Sequence, residues 1–241
     1  MSNIAIILAG GDENLKERDV PRQFTNIYDK PVLVYTLESF QRHPQIEAIV
    51  VVCVSGWQSI TWAYAKQFNI SKLKWVVSGG KTSQESIYNG IKYLERIAKM
   101  DDLIIIHDGI RPLIDETALT DVIVVAKEKG NAVSALPYNE QLFIANEQDS
   151  QITKQYVFRD KVKRVLTPQA YQYSELLDAY RAAFESGKFF DRDSYTDTMM
   201  TDLGKRLYFA VGSEKNIKLD SQEDFEMFKI FLCQEKTTWL K

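Results

Sequence analysis

The 241-residue chain has few of the residues that build metal centres or disulfide frameworks. It contains two cysteines, Cys53 and Cys233, and two histidines, His43 and His107. Neither cysteine has a metal-ligand companion nearby, which argues against a zinc site. We expect both cysteines to be buried small hydrophobic residues in a reducing compartment, and therefore expect no disulfide.

Long hydrophobic runs and an excess of basic charge are also missing. The longest apolar runs, 4–9 and 46–54, are far shorter than the roughly 18–20 residues that cross a bilayer. The first residues lack the basic start and cleavage pattern of a secretory leader. A formal net charge of −3 argues against a nucleic-acid-binding surface. We expect a cytoplasmic protein that binds small phosphorylated molecules, and neither membrane nor nucleic acid.

What the sequence does contain is a regular alternation of two hydrophobic patterns. Nearly continuous apolar runs predict buried strands at 4–9, 46–54, 74–77, 103–106, 131–136, 166–169 and 207–211. Apolar residues at helical spacing predict helices at 32–40, 57–68, 83–98, 115–130, 173–185 and 221–232. This order predicts a Rossmann-like α/β fold, with a mixed, mostly parallel sheet, helices on both faces and one domain spanning 1–241.

The helical period disappears between 137 and 164. Short apolar stretches there flank a polar turn, and the segment is not a low-complexity tract rich in proline, glycine or serine. We predict a protruding β-arm, an antiparallel excursion from the main sheet.

Three predicted strands end in glycine pairs or charged residues. Gly10-Gly11 follows the first strand, Gly79-Gly80 the third, and Asp108 with Arg111 the fourth. In parallel α/β sheets ligands bind beyond the carboxyl ends of the strands, and backbone N–H groups of glycine turns bind phosphate. We predict one convergent site for a nucleotide-type ligand. The alternative for Gly10-Gly11 is a tight turn after a buried strand.

Seven short motifs follow one another along the chain. They are Leu8-Ala-Gly-Gly11, Pro21-Arg-Gln-Phe24, Gly79-Gly80 with Ser86, His107-Asp108-x-x-Arg111-Pro112, Arg159, Thr167-Pro-Gln169 and Asn216-Ile-Lys218. Together they resemble the cytidylyltransferases that act on sugar-alcohol phosphates, the methylerythritol-phosphate and ribitol-phosphate enzymes. The resemblance covers essentially the whole chain, and the first motif, with Tyr88-Asn-Gly-Ile91, favours the ribitol-phosphate branch.

The resemblance implies that a polyol phosphate oxygen attacks the α-phosphorus of the co-substrate CTP and releases pyrophosphate, assisted by Mg²⁺ or another divalent cation. The residues that it implies for CTP are Leu8, Ala9, Gly10, Gly11, Gly79, Gly80, Ser86, Asp108 and Arg111, with Asp108 as the metal ligand. Those for the acceptor are Asp108, Arg111, Gln141, Arg159, Thr167 and Lys218. It also implies a homodimer formed through 137–164, in which each arm reaches toward the partner's site.

Such a displacement needs cations and N–H donors around the phosphates more than a covalent nucleophile. The implied catalytic residues are therefore the cations Lys16, Arg18, Arg22, Arg159 and Lys218.

The opening loop departs from the family pattern. Glu13 and Leu15 occupy positions where the family has a glycine and an arginine, and Arg22 replaces a lysine. We expect Lys16 or Arg18 to supply the missing cation. Two alternatives remain open: the methylerythritol-phosphate enzyme itself, and a non-catalytic descendant that binds a nucleotide or a partner.

Overall fold

The computed structural model describes residues 1–10, 20–187 and 195–238, with side chains as far as 234. Its strands are β1 (Asn3–Ala9), β2 (Asn26–Ile27), β3 (Lys30–Pro31), β4 (Ala48–Cys53), β5 (Leu73–Ser78), β6 (Leu103–Asp108), β7 (Asn131–Pro137), β8 (Leu142–Ala145), β9 (Thr153–Val157), β10 (Lys163–Gln172) and β11 (Phe209–Val211). Its α-helices are α1 (Val32–Arg42), α2 (Gln58–Gln67), α3 (Ser83–Tyr93), α4 (Glu116–Lys129), α5 (Tyr173–Ser186), α6 (Thr196–Asp202) and α7 (Gln222–Thr238).

Within the described ranges, seven strands form one sheet in the order β11-β7-β10-β6-β1-β4-β5. The pairs β1–β4, β1–β6, β4–β5 and β7–β11 are parallel, whereas β10 runs antiparallel to both β6 and β7. The carboxyl ends of all these strands except β10 therefore lie at one edge. The predicted Rossmann-like, mixed and mostly parallel sheet is confirmed.

Helices cover both faces of the sheet, which explains why the central strands β1, β4 and β6 are apolar along most of their length. Along β1, Ala5 and Ile7 lie in the hydrophobic cluster that includes side chains of α1, α2 and α4. Ile4 and Ile6 lie in the opposite cluster, with side chains of α3, α5 and α6. Successive strand side chains point to opposite faces, so a doubly covered strand has no polar side.

Several predicted elements are corrected. The predicted helix 83–98 ends at Tyr93 and continues as a 3₁₀ turn, Leu94–Arg96, while the predicted strand 207–211 is only three residues long. The β2–β3 hairpin and α6 were not predicted.

The two cysteines have different environments. Cys53 is buried in β4, as expected, but Cys233 is exposed, with its Sγ 3.0 Å from the Tyr28 hydroxyl. The packed stripe of α7 runs through Phe225 and Phe228 to Leu232, and Cys233 lies beside that stripe.

The segment between β7 and β10 is an antiparallel hairpin, β8–β9, that forms a two-stranded sheet of its own. Phe143, Tyr156 and Phe158 are each about 60% exposed on it. The predicted β-arm is therefore present. In the part of the chain that the structure covers, no helix is long and apolar enough to span a membrane.

Candidate active site

A cavity of about 600 Å³ lies at the edge of the sheet where β1 and β6 end, beside β10. Its lining comes from Leu8, Ala9, Gly10, Arg22, Gln23, Ser83, Ser86, Ile87, Ile106, Asp108, Ile110, Arg111, Val165, Leu166, Thr167, Gln169, Tyr195, Thr196, Asp197, Lys218 and Asp220. No histidine or cysteine among the described residues lines it. The wall instead presents two guanidinium groups, an ammonium group, carboxylates and hydroxyls, which suits charge neutralisation better than covalent catalysis.

The glycine turns that follow β1 and β5 approach each other closely. A Cβ added at Gly10 would lie 3.3 Å from Ser86 Oγ and 3.4 Å from Gly79 Cα. Ser86 is buried, and its hydroxyl accepts a bond from Gly80 N–H (3.0 Å) and donates one to the Thr82 carbonyl (2.9 Å). The serine thus joins the β5 turn to the start of α3. This arrangement favours the site interpretation of Gly10 over that of a simple turn.

Asp108 and Arg111 form an ion pair at the end of β6. Arg111 Nε donates to Asp108 Oδ2 at 2.8 Å, and Arg111 Nη1 donates to the Asn216 carbonyl at 2.9 Å. The arginine side chain is 14% exposed. One guanidinium therefore fixes the orientation of the carboxylate and attaches the Asn216–Lys218 segment to the same strand end.

The charges around Asp108 determine its ionisation. Burial alone would raise the pKa of this carboxyl, but the cationic groups of Arg111 and Lys218 outweigh it and hold the pKa below its ordinary value. Asp108 is therefore an anion at neutral pH, the form that a divalent cation prefers.

Thr167 connects β10 to the same group of residues. Its hydroxyl accepts a bond from Asp108 N–H at 3.2 Å, and its carbonyl accepts one from Asn216 Nδ2 at 2.5 Å. Leu219 N–H donates to the Ile110 carbonyl at 3.0 Å. Lys218 lies between these two attachments and lines the cavity.

Arg22 lies in a 3₁₀ turn, Arg22–Phe24, whose other residues are buried. Gln23 Nε2 donates to the Ala9 carbonyl at 2.6 Å, and the Phe24 ring stacks on Trp57 at 4.5 Å between centroids. These contacts hold the Arg22 backbone against the end of β1.

The structure brings most of the predicted site residues together. Leu8, Ala9, Gly10, Arg22, Ser86, Asp108, Arg111, Thr167 and Lys218 line the cavity, and Gly79 and Gly80 contact Ser86 at its margin. Gln141 and Arg159 are exposed residues at the base of the hairpin, outside the lining, where Arg159 Nη1 donates to the Asn139 carbonyl at 3.1 Å. Gly11, Lys16 and Arg18 lie outside the described residues.

Sequence reasoning missed a polar part of the cavity wall, which β10 and α6 form. Asp197 Oδ2 accepts a bond from Gln169 Nε2 at 3.2 Å, and the Tyr171 hydroxyl donates to Gln169 Oε1 at 2.8 Å. Burial raises the pKa of the Asp197 carboxyl. Gln169 belongs to a motif that we had identified, but Asp197 had no such signal because its helix, α6, was not predicted.

The glycine turns, the Asp108–Arg111 ion pair and two further cations, Arg22 and Lys218, converge on one cavity at the edge of a mixed α/β sheet. This combination defines the class of nucleotide-binding proteins that act on phosphates. The chain matches the family model described as IspD, 2-C-methyl-D-erythritol 4-phosphate cytidylyltransferase, over residues 3–234. It belongs to this family of cytidylyltransferases, the enzyme class that the motifs predicted.

Relatives within the family differ in acceptor. The chain is 48% identical to a ribitol-5-phosphate cytidylyltransferase of Lacticaseibacillus paracasei, over 96% of this chain and 98% of that protein. It is 30% identical to a 2-C-methyl-D-erythritol 4-phosphate cytidylyltransferase of Clostridioides difficile, over 96% and 94% of the two chains. The crystal structure of the 4-diphosphocytidyl-2C-methyl-D-erythritol synthase of Anaerococcus prevotii covers 96% of each chain at a TM-score of 0.81 and 20% identity, and so supports the fold.

Proposed function

We propose that this protein joins CMP from CTP to ribitol 5-phosphate. An oxygen of the acceptor's phosphate forms a bond to the α-phosphorus, and the bond from that phosphorus to the bridging oxygen of the β-phosphate breaks. Pyrophosphate leaves with the electron pair. The higher identity to a ribitol-5-phosphate enzyme than to a methylerythritol-phosphate enzyme supports this acceptor.

The observation that carries the proposal is the arrangement of Arg22, Asp108, Arg111 and Lys218 around one cavity at the ends of β1 and β6. Phosphoryl-type transfers require positioning and neutralisation of charge, which these groups supply from fixed backbone positions. The backbone at Leu8–Gly10 and the turn at Gly79-Gly80 bind the nucleoside. Arg22 stabilises the α-phosphate, and Lys218 and Thr167 orient the acceptor phosphate.

The residues fit a divalent cation such as Mg²⁺ at Asp108. Asp108 Oδ2 is bonded to Arg111, while Oδ1 makes no hydrogen bond to any described residue. Among the described residues, no three His, Cys, Asp or Glu side chains lie close enough together to hold a metal ion. Mg²⁺ does not need such a group, since it is usually bound by one or two carboxylates and substrate phosphates. When bound, the ion withdraws charge from the triphosphate. Arg111 keeps the Asp108 carboxylate ionised and aimed for this role.

The β8–β9 hairpin is proposed as the element that forms a homodimer, with residues 137–164 at the interface. Three aromatic side chains at about 60% exposure give it the composition of an interface core. A dimer would also give Gln141 and Arg159 a role, because these two residues lie on the hairpin and not in their own chain's cavity. We propose a cytoplasmic location, which the two cysteines outside any disulfide favour.

The test is pyrophosphate release by the purified protein with CTP and Mg²⁺, using ribitol 5-phosphate, 2-C-methyl-D-erythritol 4-phosphate and other polyol phosphates as acceptors. We expect the highest kcat/KM with ribitol 5-phosphate. A higher value with the methylerythritol compound would assign the acceptor to the other branch. Binding of CTP without turnover of any acceptor would show a non-catalytic descendant.

A further inference from the structure

The two cations proposed to hold the two reacting phosphates share one carboxylate. Asp220 Oδ1 lies 3.4 Å from Arg22 Nη1, and Asp220 Oδ2 lies 3.5 Å from Lys218 Nζ. Each oxygen of Asp220 thus pairs with a different cation. The carboxylate lines the same cavity and is about half exposed, so anions in solution can reach the two pairs.

All three residues have anchored backbones. Asp220 N–H donates to Asp224 Oδ2 at 3.1 Å, immediately before α7 begins. The neighbouring Leu219 is fully buried, and Gln23, beside Arg22, is buried as well. Because its backbone is fixed, the Asp220 carboxylate can set the distance between two cations that belong to distant segments of the chain.

The sharing has two consequences for binding. Arg22 and Lys218 repel each other, and one carboxylate between them lowers that repulsion in the free protein. The same carboxylate competes with any phosphate that approaches either cation, because the phosphate must share that cation with it. Asp220 therefore reduces the affinity for phosphate while it keeps the two cations at a fixed spacing.

We propose that Asp220 is a positioning residue for the transfer reaction: its carboxylate sets the spacing of Arg22 and Lys218 in the free protein and stays between them when substrate phosphates bind. The proposal rests on the proposed function, because it assigns these cations to the two reacting phosphates. The proposal predicts two effects of removing the negative charge of Asp220. Phosphates should bind more tightly, and the chemical step should be slower because Arg22 and Lys218 are then held less accurately.

The experiment compares the wild type with Asp220→Asn, which keeps the shape and removes the charge. Calorimetric titration with inorganic pyrophosphate should give a Kd about fivefold lower in the variant, the factor that corresponds to an exposed ion pair of about 1 kcal/mol. With CTP, Mg²⁺ and ribitol 5-phosphate, the KM for ribitol 5-phosphate should fall while kcat falls about tenfold. A general loss of structure would not lower a Kd.

Two further variants serve as controls. Asp220→Glu keeps the charge on a longer stem, so its Kd for pyrophosphate should stay near that of the wild type while kcat falls. Glu128→Gln makes the same change of net charge at the end of α4, next to the amino end of β7 and away from the cavity, and should leave Kd, KM and kcat unchanged.

An unchanged or higher Kd for pyrophosphate in Asp220→Asn would overturn the proposal, as would an equal decrease in Glu128→Gln. The calorimetric titration measures the binding of pyrophosphate and does not require the protein to be catalytically active. If the wild type transfers no cytidylyl group, the proposed function fails, and the titration still decides whether Asp220 competes with phosphate.

Discussion

Replacing Arg111 by lysine changes the shape of a charged group while it keeps the charge. The guanidinium makes two bonds in different directions, from Nε to Asp108 Oδ2 and from Nη1 to the Asn216 carbonyl. An ammonium group is a single nitrogen on a flexible stem and cannot reproduce this fork. Lysine should keep the ion pair with Asp108 and lose the bond to Asn216.

The magnitude follows from the buried position of the pair. A hydrogen bond to a charged group contributes about 1.5–3 kcal/mol, and screening by solvent is small because Arg111 is only 14% exposed. A loss of about 2 kcal/mol in the free energy of unfolding corresponds to a decrease of about 4–8 °C in Tm for a domain of this size. Lys218, two residues from Asn216, should then be misplaced, and kcat should fall about 10–100-fold.

The assay is thermal unfolding together with pyrophosphate release, measured well below the Tm of the variant. Arg181→Lys is the matched control, because Arg181 forms an ion pair with Glu95 at 3.2 Å but is 47% exposed. Exposed pairs contribute about 0–1 kcal/mol, so this variant should change Tm by only a few degrees and leave kcat unchanged.

Equal Tm and kcat in Arg111→Lys and the wild type would refute the argument that the fork attaches the Asn216–Lys218 segment to β6. A lower Tm with unchanged kcat would keep the structural role of Arg111 and remove its connection to Lys218.

Three further predictions concern other parts of the molecule. Ser86→Ala removes the acceptor of the Gly80 N–H bond and should raise the KM for CTP about tenfold, or about 1.4 kcal/mol, with little change in kcat; an unchanged KM would contradict it. Because the pKa of Asp108 is held below its ordinary 3.8, its contribution to stability is present above that value and is lost only as pH falls through the lower, folded-state pKa. In Arg111→Gln the pKa of Asp108 should rise, so kcat/KM should begin to fall at a higher pH than in the wild type as the solution is acidified. If kcat/KM falls at the same pH in both proteins, Arg111 does not control the pKa of this carboxyl. Phe143→Ser on the hairpin should convert a dimer into a monomer in light scattering at micromolar concentration, and a wild type that is already monomeric would rule out the interface.

Much of the fold could be predicted because its central strands are buried on both faces. Runs such as 46–54 and 103–106 have no polar alternation, and this pattern is typical of a doubly covered sheet. The start of α3 could also be predicted from its polar first residues. Thr82 is its N-cap residue, and the Thr82 hydroxyl accepts a bond from Glu85 N–H at 3.1 Å.

The missed elements have little local signal. The β2–β3 turn uses Tyr28 at a φ of 53°, a conformation for which sequence rules look for glycine or asparagine. The helix α6 has only seven residues, too few for a clear hydrophobic period. The direction of β10 is not encoded in its apolar pattern, because a strand covered on both faces has the same composition either way.

The site was predictable where motifs follow strand ends, and not where the tertiary fold alone brings residues together. Gly10 follows β1, and Asp108 is the last residue of β6. The predicted topology was therefore sufficient to place both residues at the same edge of the sheet. Asp197 reaches the cavity from a segment whose sequence carries no site pattern, and Asp220 lies just beyond the Asn216-Ile-Lys218 motif and is not part of it. The pairing of Asp220 with Arg22 joins residues 198 positions apart, and no spacing rule connects them.

The antiparallel strand β10 also determines where the hairpin is joined to the sheet. Lys163, the first residue of β10, pairs with Pro137, the last residue of β7, at the same edge as the cavity. Everything between these two residues leaves the sheet and returns to it at one place. A change in the length of that excursion would therefore leave every strand register in the sheet unaltered.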